Sequence, residues 1–90
     1  ILKIFLSSRT NDFLRTIDCA QDLRKEGIIV ELGYNETDSK LEHLRDRKID
    51  FCVIIDEKFL NVKITDIHTE KTFTTELKYL KDFLLNERNI

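Results

Sequence analysis

Proline, tryptophan and methionine are missing from this chain, and glycine occurs only at positions 27 and 33. That leaves no material for proline-rich or glycine-rich linkers and predicts compact elements joined by short turns. The first strand-to-helix turn, Ser7-Ser8-Arg9-Thr10-Asn11, has no glycine, so it is neither a GxGxxG dinucleotide fingerprint nor a GxxxxGK[ST] phosphate loop. Cysteine is nearly as scarce. Cys19 and Cys52 form no CxxC and stand at no zinc-like spacing from His43 or His68, so they read as free thiols of an intracellular, reducing compartment, whether cytoplasmic, nuclear or mitochondrial. The acidic residues include no DxDxDG calcium loop. No metal and no cofactor are expected. The longest apolar run, Phe51-Cys52-Val53-Ile54-Ile55, has the length of a buried strand, far short of the roughly 20 residues a membrane helix needs.

Charge of one sign is also lacking. The chain is 36% charged, yet the formal net charge is −2 and the pI about 5.7, against the basic footprint of a free-standing nucleic-acid binder. No stretch of sequence carries a surplus of cations. The densest group, Arg45, Arg47 and Lys48, is the best candidate for a basic cluster in three dimensions, but it falls at the end of a helix, where favourable placement against the helix dipole is the preferred reading. With neither histidine paired in sequence to a nucleophile, and no long loops to wall a cleft, the chain is expected to bind rather than catalyse.

What is present is Ile, Leu, Val and Phe in readable periods. Leu2, Ile4 and Leu6 alternate with other residues in a first strand over 1–6 that ends at Ser7-Ser8. Thr10 or Asn11 is placed to cap a helix whose inward face is Phe13, Ile17, Ala20 and Leu23, and Gly27 stops it. The β-branched run Ile28 to Leu32 predicts a second strand, parallel to the first because a helix joins them. After the loop 33–37, Thr37 or Asp38 opens a short helix carrying Leu41 and Leu44, and residues 51–55 form a central strand. The alternating Leu60, Val62 and Ile64, then Thr72-Phe73-Thr74, follow too closely for crossovers, so antiparallel neighbours are expected. Thr75 is the expected cap of a last helix with a Leu77, Leu80 and Leu84 stripe. The order β-α-β-α-β-β-β-α describes one α/β domain over 1–90 with a mixed sheet, and its start at Ile1 inside a strand-like run suggests a piece of a longer protein.

The run Ala20-Gln21-Asp22-Leu23-Arg24-Lys25-Glu26-Gly27-Ile28-Ile29-Val30-Glu31-Leu32, followed by Asp50-Phe51-Cys52-Val53-Ile54-Ile55 and the hairpin from Val62 to Lys71, resembles the anticodon-binding domain of class IIa aminoacyl-tRNA synthetases, the histidyl, threonyl, prolyl and glycyl group. The resemblance covers nearly the whole chain and implies a three-layer α/β/α fold around a five-stranded mixed sheet with one antiparallel strand. It also has departures. Asp56 stands where the family tends to have glycine after the third strand, Lys48-Ile49 where glycine often precedes that strand, and the tip Thr69-Glu70-Lys71 lacks the usual glycine.

Two functions of different kinds follow. The resemblance implies a non-catalytic module for tRNA or another structured RNA, within a synthetase or synthetase-like protein. Its candidate contacts are Arg9 and Asn11 in the first loop and Tyr34, Asn35 and Lys40 around the second, because loops at the C-terminal ends of parallel strands face one crevice. Tyr34 could stack on an unpaired base or pack over the sheet end. The alternative, favoured by the acidic balance and the missing glycines, is a protein-interaction or homodimerisation module using the row Leu60, Val62, Ile64 or the Phe83 side of the last helix.

Overall fold

The computed structural model describes residues 1–10, 12–34 and 40–88. Five strands, β1 (Lys3–Ser8), β2 (Ile29–Leu32), β3 (Phe51–Ile55), β4 (Asn61–Asp66) and β5 (Thr72–Glu76), lie in the order β2-β1-β3-β4-β5. β1 pairs parallel with both β2 and β3, whereas β4 runs antiparallel to β3 and β5 antiparallel to β4. β4 alone is therefore reversed, as the resemblance implies. The two crossovers are α1 (Phe13–Lys25) and α2 (Leu41–Asp46), while only short turns join β3, β4 and β5.

The helices divide between the faces of the sheet. α1 and α3 (Leu80–Arg88) cover one face, burying Ala20, Leu23, Leu80 and Leu84 against Ile4, Leu6, Val53, Ile55, Val62 and Ile64. α2 covers part of the other, packing Leu44 with Phe5, Cys52, Ile54, Ile49 and Ile67. Strands with helices on both sides are buried throughout, and the continuous burial of Phe51 to Ile55 shows it. β4 instead alternates, with Val62 and Ile64 inward and Asn61 and Lys63 exposed, since no helix lies over its second face. The Leu60, Val62, Ile64 row is consequently not an exposed surface. Val62 and Ile64 are core and only Leu60 is open.

Three local readings are corrected. α1 is capped by Asp12, whose carboxylate accepts the Arg15 N–H at 3.2 Å, rather than by Thr10; Asn11 lies outside the described residues, as do Thr37 and Asp38, and α2 begins after Lys40. The inward face of α1 is Thr16, Ala20 and Leu23, with Ile17 half-buried and Phe13 exposed. Thr16 can be buried because its hydroxyl meets Ser8 Oγ at 2.9 Å. Thr75 belongs to β5, opposite Val62, and a single 3-10 turn, Leu77–Tyr79, leads into α3.

The chain turns without glycine at two of the departures. Lys48 has φ 61° at the end of α2, where its N–H reaches Arg45 O at 2.9 Å and the Ile49 N–H reaches Leu44 O at 2.9 Å. Glu70 has φ 64° at the β4–β5 tip, its N–H donating to Asp66 O at 2.7 Å. At Asp56, the third departure, a carboxylate organises the turn by accepting the N–H of Leu60 at 2.9 Å and of Asn61 at 3.2 Å.

Candidate nucleic-acid interface

The three parallel strands end on the same side of the sheet, at Ser8, Leu32 and Ile55. β1 lies between β2 and β3, its crossover α1 packs on one face of the sheet and α2 on the other, so the end of β1 is the point at which the strand order reverses. Arg9 stands there. Its N–H donates to Ile55 O at 2.8 Å, extending the β1–β3 pairing past Ser8, and its side chain is exposed. Tyr34 follows β2, is 73% exposed, and meets the exposed Phe13 ring edge-on with centroids 5.7 Å apart. This pair is an aromatic ledge at the mouth of α1, with open ring surface on which a base could stack.

Between β2 and α2, bounded at one end by Gly33 just before Tyr34, the structure opens a recess of about 540 Å³. Its floor is the ring of Phe5 with the bare backbone of Gly33, where a β-carbon would collide with that ring. Its walls bring Arg24, Lys40, His43 and Arg47 together with one carboxylate, Glu31. That carboxylate is already committed, to Arg47 Nε at 3.1 Å and Lys3 Nζ at 3.2 Å. Arg47 is further fixed with its guanidinium 5.6 Å from the centre of the Phe5 ring. Arg24 reaches across from α1 to donate to Val30 O at 2.6 Å, and neither it nor Lys40 has a carboxylate partner among the described residues. In a chain of net charge −2, four basic side chains and, among the described residues, one carboxylate line this one concave place.

The expected contacts are thus only partly assembled. Lys40 joins the recess and Tyr34 the ledge, Arg9 lies apart at the β1 end, and Asn11 and Asn35 lie outside the described residues. Arg24, His43 and Arg47 were not among the candidate contacts read from sequence. Other cations are taken up elsewhere, Arg15 over the Phe59 ring at 4.2 Å and Arg45 on Glu70 at 3.5 Å. Among the described residues no group of three His, Cys, Asp or Glu is arranged to hold a metal ion, and no helix is long and apolar enough to cross a membrane.

No family model matches the chain, and no curated protein matches it in sequence. Solved structures do match in fold. The apo histidyl-tRNA synthetase of S. aureus superposes on 92% of this chain with a TM-score of 0.75 at 16% identity. The histidyl-tRNA synthetase from Nostoc sp. PCC 7120 superposes on 96% with a TM-score of 0.70 at 17% identity. This chain spans 26% and 21% of their lengths, so the likeness is to one domain of each.

Proposed function

We propose that this domain is a non-catalytic binding module for tRNA or another structured RNA, working as one arm of a larger synthetase or synthetase-like protein. The observation that carries the reading is the recess in which Arg24, Lys40 and Arg47 face, among the described residues, a single, already paired carboxylate, together with the Phe13–Tyr34 ledge that follows β2. Cations in a concave site attract backbone phosphates, and an exposed aromatic pair offers a stacking surface for an unpaired base, which are the two contacts single-stranded RNA requires. The fold shared with two histidyl-tRNA synthetases supports the same reading, since those enzymes act with tRNA by name.

Lys40 and Tyr34 are both exposed, so their removal leaves the fold intact. A Tyr34→Ala, Lys40→Ala variant is expected to lose roughly tenfold or more in affinity for bulk tRNA, measured by fluorescence anisotropy at low salt, since stacking alone is worth about 1–3 kcal/mol per base. Unchanged affinity in a folded variant would show that RNA, if bound, is held elsewhere.

A further inference from the structure

β5 closes one side of the sheet, and two bonds at its ends fix which way its peptides point. Asp66 N–H donates to Lys71 O at 2.8 Å, and Leu77 N–H to Leu60 O at 2.8 Å. Backbone direction alternates along a strand, so residues 71, 73, 75 and 77 face β4 while Thr72, Thr74 and Glu76 turn their backbone outward. Nothing among the described residues pairs with the outward groups of Thr72 and Thr74. The strand also lacks the devices that guard an edge. It contains no proline, lysine or bulge, and its one charge, Glu76, is at its end and paired with Lys78 at 3.1 Å.

The opposite edge is guarded. β2 has four residues, carries the clamped Glu31, and turns Val30 outward, because the N–H groups of Ile29 and Gly33 point in toward β1; the Val30 carbonyl is then taken by Arg24 at 2.6 Å. Among the described residues β5 is the edge left open, and it carries Phe73, 40% exposed, as the last ring of an edge-on series with Phe83 at 5.1 Å and Phe51 at 5.3 Å from Phe83.

We propose that β5 pairs antiparallel with β5 of a second copy of this chain, about a two-fold axis through Phe73. Thr72 then exchanges hydrogen bonds with the second copy's Thr74, and Thr74 with the second copy's Thr72, using every outward group of both residues. The two Phe73 rings meet as a close, non-hydrogen-bonded pair, the arrangement in which cross-strand side chains approach most nearly. A second copy fits better than an arbitrary strand because the edge is self-complementary. Threonine faces threonine, phenylalanine faces phenylalanine, and from Lys71 to Thr75 no like charges oppose. One continuous sheet results, with the recess beside β2 at its far ends, so this pairing does not depend on the RNA reading.

A single strand pair buries less than a standard interface, and the dimer is expected to be weak, with a dissociation constant on the order of 10–1000 μM. Sedimentation of the chain from about 10 μM to 1 mM, with amide exchange by NMR at both ends of the series, tests it. The expected result is a shift toward dimer, with the Thr72 and Thr74 amides exchanging roughly two- to sevenfold more slowly at the high end, in proportion to the fall in the monomer fraction. Thr74→Pro, which removes an outward N–H and no bond to β4, is expected to remain monomeric at 1 mM. Should that variant fail to fold, the exchange data on the unaltered chain decide alone. A monomer throughout, a dimer whose Thr72 and Thr74 amides stay unprotected, or a folded Thr74→Pro that still dimerises would each overturn the pairing.

Discussion

Lys48 and Glu70 hold backbone conformations, φ 61° and 64°, in which a β-carbon crowds the following carbonyl and which glycine enters freely. Lys48→Gly is therefore expected to stabilise the chain by about 0.5–1 kcal/mol, the relief of strain outweighing the greater freedom of glycine in the unfolded state. A rise in denaturant midpoint at unchanged slope checks it. Gly33 is the opposite case. Its hydrogen is all that fits over the buried Phe5 ring, so Gly33→Ala is expected to cost about 1–3 kcal/mol by the same measurement. The absence of glycine at 48 and 70 was visible in the sequence, but not how the chain turned there. Only the angles show that the turns were kept and the non-glycine residues took them up.

Among the elements, the β3–β4 connection depends on one carboxylate. The Leu60 N–H bond to Asp56 is the main cause that holds its pKa below the ordinary carboxylate range, with lesser help from Asn61 and Phe59 and a partial counter-effect of desolvation. A group with a lowered folded pKa contributes stability at pH values above its unfolded pKa and loses it as pH falls through the folded value. The denaturant midpoint should accordingly drop below about pH 4, and Asp56→Asn should show a shallower drop. Element order and type were readable because the 3.6- and 2-residue periods are long and clean here. Their ends were not. Thr10, Asp12 and Thr75 all have side chains able to cap a helix, and the choice rests on where β1 and β5 end, which is settled by pairing with β3 and β4. The phase of α1 slipped for a related reason, since a threonine bonded to Ser8 can occupy an apolar position.

For the whole molecule, a mixed sheet between helices could be read from the crossovers, whereas the recess could not. Arg24, Glu31, Lys40, His43 and Arg47 converge only once β2 is laid beside β1 and α2 is folded over the pair, and a net charge of −2 averages the concentration away. Arg47 did stand out in sequence, within the group Arg45, Arg47 and Lys48, but its neighbours there point to other work, Arg45 to Glu70 and Lys48 to the end of α2. The proposed function places RNA in this recess and on its ledge. The most direct test is a titration of the chain with bulk tRNA from about 20 to 200 mM salt. Two or three phosphates bound in the recess predict saturable binding whose logarithm falls against log salt with a slope of roughly −1.5 to −2.5. No binding at the lowest salt, or binding without salt dependence, would contradict the claim.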